Sequence, residues 1–195
     1  ECFRSSLTLT KDPAVRMEIP YGNGIIAGLF IPAEGVDGPA PLIVMVNGLD
    51  STKEMIYRVG LPAELARRGV ATLVIDQPGT GEAIRLHDLR AVHNAEAWAS
   101  PVFDFISRHE AVDARRIGIH GVSLGGYYAP RVAAFEPRFA LGVSWGANHN
   151  WGEVQRKRLA REGRVAMAEA CFRFLPTRAA LDLAGWPEED IFAHS

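Results

Sequence analysis

The stretch Ile117-Gly-Ile-His-Gly-Val-Ser-Leu-Gly-Gly126 decides the fold of this chain. Its centre, Gly121-Val-Ser-Leu-Gly125, fits the pattern G-x-S-x-G, in which a serine sits on a sharp turn between a strand and a helix. Glycines two residues before and after the serine are needed because such a turn leaves almost no room for side chains there. The pattern therefore predicts that the Ser123 hydroxyl stands clear of a β-sheet, where it can act as a nucleophile.

The residues on either side of the pattern agree with this interpretation. Arg116-Ile-Gly-Ile-His120 is a short apolar run suited to a buried strand. Tyr127–Phe135 has an apolar face and predicts a helix, in which Pro130 is tolerated if it falls within the first turns. An ordinary Gly-Ser turn is the alternative, and the flanking strand and helix favour the nucleophile turn over it.

Strands and helices alternate from Pro41 onward. Apolar runs predict strands, and the segments between them predict helices over roughly residues 53–68 and 95–109; the strands are Leu42–Val46, Val70–Ile75, Ile117–His120 and Phe139–Val143. Strands without polar alternation are typical of a parallel sheet covered by helices on both faces. The sequence therefore predicts an α/β protein with a mostly parallel sheet.

The segment before Pro41 has a different pattern. Residues 5 to 33 are predicted to form antiparallel β structure, because Val15, Met17 and Ile19 alternate with polar residues. A turn at Tyr21-Gly-Asn-Gly24 leads to a second strand over Gly24–Ile31.

Composition limits the class of protein. At 195 residues and 48% hydrophobic content, the chain can form a domain with a sizeable core. A net charge of −2 gives no argument for a nucleic-acid or membrane partner, and the apolar runs are too short to span a bilayer. The two cysteines form no disulfide framework, which favours a cytoplasmic protein with reduced thiols.

Residues 1–150 are predicted to form the core, and residues 151–195 a helical cap segment. The composition becomes charged and alanine-rich after Trp151, with helices predicted over residues 154–170 and 177–184. Large hydrophobic strands at an open edge of the sheet would favour association, so a homo-oligomer is a hypothesis.

A serine nucleophile requires a histidine base and an acid that orients it. After Ser123 the sequence offers only His149 and His194, and no acidic residue follows a recognisable late strand. His149 follows a predicted strand and could line the substrate pocket or act as the base. His120, inside the strand before the serine, is interpreted as a packed, hydrogen-bonded residue.

Two backbone N–H groups are predicted to form an oxyanion hole. One belongs to Leu124, directly after the serine, and the other to Leu49 (or Asp50) in the loop that follows the strand Leu42–Val46. The same loop can also end in a helix N-cap at Ser51 or Thr52, and the two roles are compatible.

Two further features border the predicted pocket. Asp76-Gln-Pro-Gly-Thr-Gly-Glu82 is glycine-rich but lacks the lysine of a phosphate-binding loop, so it is interpreted as a structural turn in the pocket wall. Trp145 is predicted to form an aromatic wall of the substrate site, with packing as the alternative. No metal or organic cofactor is implied.

Several segments together resemble the α/β-hydrolases, in the branch that contains the FrsA-like esterases and dihydroxypseudooxynicotine hydrolase. The likeness covers about residues 14–150 and rests on Asn47–Glu54, Asp76–Glu82, Gly121–Tyr127, Glu136–Arg138 and Ser144–Gly146. It implies an α/β-hydrolase fold with antiparallel N-terminal strands and a helical cap, with Ser123 as nucleophile. Asp50 matches a glutamate position that assists catalysis in a carbon–carbon hydrolase of this branch.

The resemblance also implies that the family's acid and histidine follow two further strands, which this sequence does not contain. We therefore expect the chain to be part of a longer enzyme, with little turnover alone. The function expected is hydrolysis of a small ester or activated carbonyl compound through an acyl-enzyme. The alternatives are carbon–carbon hydrolysis of a β-diketone-like substrate and a non-catalytic module that binds such ligands.

Overall fold

The computed structural model describes residues 2–146 and 149–161, and it consists of one mixed sheet flanked by helices. In chain order the elements are α1 (Cys2–Leu9), β1 (Val15–Tyr21), β2 (Gly24–Ile31), β3 (Ala40–Val46), α2 (Lys53–Arg58), α3 (Leu61–Arg67), β4 (Ala71–Ile75), α4 (Gly81–His87), α5 (Glu96–Ile106), β5 (Val112–Val122), α6 (Gly125–Phe135), β6 (Leu141–Trp145) and α7 (Trp151–Arg161).

The six strands are ordered β1-β2-β4-β3-β5-β6. Strands β4, β3, β5 and β6 are parallel, whereas β1 and β2 pair antiparallel with each other and β2 pairs antiparallel with β4. Each connection between the parallel strands contains helices, because parallel neighbours require a crossover. The predicted mostly parallel sheet with antiparallel N-terminal strands is confirmed.

Helices cover both faces of the central strands. All five residues of β4 are buried, which explains why Thr72 is the one polar residue in this strand. On one face α5 and α6 meet through Trp98 and Tyr128, whose rings pack edge to face with centroids 5.7 Å apart. On the other face the core includes Met45 of β3 and Val74 of β4.

Several predicted boundaries were wrong. Residues 5–9 belong to helix α1, because Phe3 and Leu7, four residues apart, pack together on one core cluster. The single helix predicted over residues 53–68 is two helices, because Gly60 adopts a φ of 90° and Pro62 lies in the first turn of the next helix. Helix α4 was not predicted.

Other boundaries moved less. Strand β5 is longer than the predicted Ile117–His120, and β6 begins two residues later than the predicted Phe139. Helix α7 begins at Trp151; most of the predicted cap, with its helix over residues 177–184, lies outside the described residues. None of the helices in the described part of the chain has the length and apolar character needed to cross a bilayer.

Candidate active site

Ser123 occupies the turn between β5 and α6. Strand β5 ends at Val122, helix α6 begins at Gly125, and Ser123 between them has a φ of 58°. Its N–H donates to the Trp145 carbonyl at 2.9 Å, and its carbonyl accepts from the Gly126 N–H at 2.8 Å. A non-glycine residue in this left-handed conformation is strained by about 1–2 kcal/mol, and the turn leaves Ser123 exposed above the sheet.

The glycines that flank the serine are sterically required. A Cβ atom on Gly121 would overlap the carbonyl oxygen of Gly125, and one on Gly125 would lie 2.7 Å from the carbonyl oxygen of Val46. A Cβ atom on Gly126 would lie 2.5 Å from the carbonyl oxygen of Gly146. The predicted strand, turn and helix around Ser123 are therefore confirmed as geometry.

The loop after β3 lies directly beside this turn. Strands β3 and β5 are paired up to Val46 and Gly121, so their following residues emerge side by side. A Cβ atom on Gly48 would lie 3.2 Å from the Ser123 Cβ and 3.5 Å from its Oγ. Leu49 and Asp50 follow in a turn, and both are exposed.

The two predicted oxyanion donors are available for a ligand. In the part of the chain that the structure describes, neither the Leu49 N–H nor the Leu124 N–H donates a hydrogen bond within the protein. The Leu124 side chain is buried, which fixes the backbone of this residue at the start of α6. Their role in stabilising an oxyanion stays a prediction.

A cavity of about 310 Å³ opens between the loops that follow β3 and β4. Leu49 and Asp50 line it from one side, and Thr80 and Arg85 from the other. We call it the loop cavity. Ser123, Trp145 and His149 are not among the residues that line it.

Trp145 and His149 lie at the end of β6 and beyond it. Trp145 is 60% exposed, and its ring packs edge to face on His120 with centroids 6.1 Å apart. His149 is exposed and interacts electrostatically with Glu153 at the start of α7. Trp145 therefore adjoins the Ser123 turn through its backbone carbonyl, which accepts from the Ser123 N–H.

His120 is packed, as predicted, but its hydrogen bonding differs from the prediction. Among the described residues its Nδ1 atom is buried without a hydrogen-bond partner. Burial lowers the pKa of the His120 imidazole below its usual value.

A buried polar network joins the loop after β3 to the loop after β4. Asp76 and Gln77, which follow β4, are fully buried, and so are Asn47 and Lys53 at the two ends of the β3 loop. Gln77 accepts from the Asn47 N–H at 3.0 Å and donates to the Asn47 carbonyl at 2.9 Å. The sequence analysis missed these functional candidates, although a charged residue directly after an apolar strand was a visible signal at Asp76.

Asp76 accepts hydrogen bonds from the loop after β3 and from the helices α2 and α4. Its Oδ1 accepts from the Lys53 N–H at 2.7 Å and from the Asn47 Nδ2 at 3.1 Å. Its Oδ2 accepts from the Lys53 Nζ at 2.8 Å and from the Glu82 N–H at 2.9 Å. A Cβ atom on Gly81 would overlap this carboxylate, which explains the glycine there.

Three acidic groups in this network, on Glu54, Asp76 and Glu82, are close enough together to hold a cation. The Lys53 ammonium lies among them, with 2.7 Å to Glu54, 2.8 Å to Asp76 and 2.6 Å to Glu82. Burial opposes the charge on Lys53, but the Asp76 carboxylate and the hydrogen bonds raise the pKa of its ammonium above the usual value. A lysine thus occupies the position that a metal ion would take.

The sheet, with its crossover helices and its serine turn beside the β3 loop, defines an α/β-hydrolase. The model of the FrsA-like esterase family matches residues 5–149, and the chain belongs to this family. A 2,6-dihydropseudooxynicotine hydrolase from Paenarthrobacter nicotinovorans is 36% identical over 146 residues, which cover 75% of this chain and 38% of that protein. The hydrolase acrC from Aspergillus aculeatus is 35% identical, covering 74% of this chain and 37% of that protein.

A solved structure supports the same relationship. The 2,6-dihydroxy-pseudo-oxynicotine hydrolase superposes with a TM-score of 0.67 at 35% identity, covering 74% of this chain and 40% of that chain. The chain therefore spans about two fifths of the length of these relatives.

Proposed function

We propose that this chain supplies the nucleophile and the oxyanion hole of a serine hydrolase that acts on an ester or an activated carbonyl compound. The observation that carries the proposal is Ser123, exposed at a left-handed turn above the sheet, with Gly48 of the β3 loop against its side chain. Membership of a family of esterases and the hydrolase names of the relatives support it.

In this mechanism the Ser123 Oγ attacks the substrate carbonyl carbon while a histidine takes its proton. The carbonyl oxygen becomes an oxyanion, to which the Leu49 and Leu124 N–H groups donate; one such donor is worth about 10²–10³-fold in rate. The tetrahedral intermediate then expels the alcohol, which receives the proton from the histidine. Water, deprotonated by the same histidine, attacks the acyl ester and releases Ser123.

Among the described residues after Ser123, the one candidate for the histidine base is His149. Glu136, the acidic residue between Ser123 and His149 in the sequence, is bonded to Arg138 and Ser100 instead. His194 lies outside the described residues. If His149 is the base, His149→Ala reduces turnover of an ester by about 10³-fold or more; unchanged turnover assigns the base to another histidine.

Ser123 can be tested by labelling the full-length protein with a fluorophosphonate and by hydrolysis of p-nitrophenyl acetate. We expect both in the wild type and in the control Ser107→Ala, which alters a serine at the far end of α5. Both should be lost in Ser123→Ala. A wild type that binds small carbonyl ligands but neither labels nor turns over would instead identify a non-catalytic binding protein.

Carbon–carbon hydrolysis of a β-diketone-like substrate is the second candidate, and Asp50 is the observation that favours it. Asp50 lines the loop cavity next to Leu49, and the resemblance implies an assisting acid at this position. The leaving carbanion must be protonated, whereas an alkoxide leaves an ester readily. Asp50→Asn should therefore lower cleavage of an aryl diketone at least tenfold while changing p-nitrophenyl acetate hydrolysis less than threefold.

The remaining proposals concern the setting of the enzyme. We infer a cytoplasmic enzyme for a small-molecule substrate without a nucleic-acid or membrane partner, with residues 151–195 as a helical cap segment. A homo-oligomer is proposed from β6, which pairs only with β5 among the described strands and exposes Leu141 and Val143. A monomer in light scattering would contradict it.

A further inference from the structure

We propose that Asp76 and Lys53 are positioning residues for the oxyanion hole, holding the β3 loop so that the Leu49 N–H faces Ser123. This inference rests on the proposed function. It concerns residues that touch neither the substrate nor the reacting atoms.

The β3 loop is anchored at both ends by two consecutive residues, Asp76 and Gln77, which directly follow β4. Asn47 is held by Gln77 through two hydrogen bonds, and Lys53 is held by Asp76 through its backbone N–H and its ammonium. Only residues 48–52 lie between these anchors. The segment that carries Leu49 is therefore too short to move independently of them.

The part of the loop between these anchors lies against Ser123 at Gly48. The Cα of Gly48 is so close to Ser123 that an added Cβ would come within 3.2 Å of the Ser123 Cβ. A shift of the loop by about 1 Å would thus change the position of the Leu49 N–H relative to Ser123 directly, and a hydrogen bond to a developing oxyanion is sensitive to such a shift.

The anchor formed by Lys53 and Asp76 is both charged and buried. Lys53 and Asp76 are 1% and 0% exposed, and the ammonium also bonds to Glu82, which Arg16 in turn holds at 2.8 Å. Such a network is costly to assemble and has few alternative arrangements, because each buried charge would lose its partner if it moved. It is therefore suited to holding a loop in one position.

The acidic cluster of Glu54, Asp76 and Glu82 binds the Lys53 ammonium in place of a metal ion. The three carboxylates at Glu54, Asp76 and Glu82 each bond to the same lysine ammonium. Their function is thus to fix Lys53, and through it the start of α2 and the end of the loop.

The experiment compares Asp76→Asn and Lys53→Met with Glu136→Gln in the full-length protein. Glu136 is also a buried acid in an ion pair, but it follows α6 at the end remote from Ser123, about 16 Å along an 11-residue helix. It therefore controls for a general loss of stability. The readouts are kcat and KM for p-nitrophenyl acetate and amide hydrogen exchange over residues 48–52.

We expect Asp76→Asn to lower kcat by about 100-fold, the effect of losing one oxyanion donor, with KM changed less than threefold. Exchange over residues 48–52 should rise at least tenfold in this variant and stay at the wild-type level in Glu136→Gln. The double variant Asp76→Asn/Lys53→Met should lose no more activity than the worse single variant, because both remove the same anchor. If Asp76→Asn does not fold, Lys53→Met alone carries the same expectations.

Two failures are distinguishable. If Ser123→Ala leaves the turnover of the wild type unchanged, or if the wild type has no turnover, the proposed function is overturned and this inference with it. An active wild type in which the variants keep kcat and loop exchange within threefold of the control Glu136→Gln overturns the positioning role alone.

Discussion

At Ser123 the backbone φ of 58° places a serine in a conformation that glycine adopts more readily. The strain persists because the surrounding contacts determine it: the Ser123 N–H is held by Trp145, and the glycines at 121 and 125 close the turn. On the proposed function, this conformation serves the reactivity of the hydroxyl at the expense of stability. Replacement of the serine should therefore separate the two.

We predict that Ser123→Gly is more stable than Ser123→Ala by about 1 kcal/mol, because glycine relieves the left-handed strain and alanine does not. The measurement is urea unfolding of both variants. Ser107 provides the control, since its φ of −65° is helical and glycine should be less stable than alanine there. Equal stability of the two Ser123 variants would show that the turn is unstrained.

Some residues of the candidate site could be predicted from the sequence, and others could not. Gly125 is required by the carbonyl oxygen of Val46 on a neighbouring strand, although the G-x-S-x-G pattern indicates it. Gly121 could be predicted from local geometry, because a Cβ atom there would overlap the Gly125 carbonyl in the same turn. Lys53 and Asp76 could not, because their partnership joins residues 23 positions apart and exists only once β3 and β4 are paired. A lysine that begins an amphipathic helix gives no signal that it will be buried.

At the scale of elements, Pro130 in α6 removes a backbone N–H from the helix interior. That N–H would have bonded to the carbonyl of Gly126, four residues earlier. The carbonyl is instead satisfied by the Ser144 hydroxyl of β6, which donates to it at 2.7 Å. The hydrogen bond that Pro130 removes from α6 is thus replaced by one that links the helix to β6.

We predict that Ser144→Ala destabilises the fold by about 1–2 kcal/mol, because it leaves the Gly126 carbonyl without a donor. In a Pro130→Ala background the same substitution should cost less than half as much, because the helical N–H is restored. A double-mutant cycle in chemical unfolding measures this coupling. Additive costs would show that the two residues act independently.

Helix α4 shows why one element was not predicted. Neither Thr52 before α2 nor Thr80 before α4 caps its helix with its side chain. The first-turn N–H groups of Lys53 and Glu82 are instead satisfied by the single carboxylate of Asp76. Asp76 lies in the loop before α4 but six residues before Glu82, which is farther than the two or three residues at which a local cap is sought in the sequence.

At the scale of the whole molecule, stability depends on carboxylates held in their charged form. The hydrogen bond from Arg138 lowers the pKa of Glu136 to about 2, although burial opposes the shift. Burial likewise opposes the charge on Glu82, but hydrogen bonds from Lys53 and Arg16 lower the pKa of Glu82 to about 2. The usual value for both groups is 4.5.

Because both folded-state pKa values lie below the unfolded ones, these groups stabilise the fold fully above about pH 4.5. Their contribution is lost as the pH falls from 4.5 towards 2. We predict that the free energy of unfolding decreases across this window and that Glu136→Gln makes the decrease shallower while lowering stability at pH 7. Denaturant unfolding at a series of pH values tests this, and a profile unchanged by the substitution would contradict it.

The large-scale architecture could be predicted from the sequence because buried parallel strands produce runs that are almost entirely apolar, as in β4, where Thr72 is the one polar residue. Strand β6 shows the limit of that rule. Its pattern is equally apolar, yet Leu141 and Trp145 are more than half exposed in the described structure. Hydrophobicity predicts that a strand forms, but its cover depends on which other segments pack on it.

The pairing of Val46 with Gly121 has a consequence for how such enzymes can diversify. The Ser123 turn and the β3 loop leave adjacent strands whose pairing ends together at Val46 and Gly121, and Asp76 and Lys53 hold the end of that loop. Other residues of the loops, such as Asp50 and Arg85, line the loop cavity. On the proposed function, substitutions at those exposed positions would change which substrate is accepted, while the paired strands keep Ser123 beside the β3 loop.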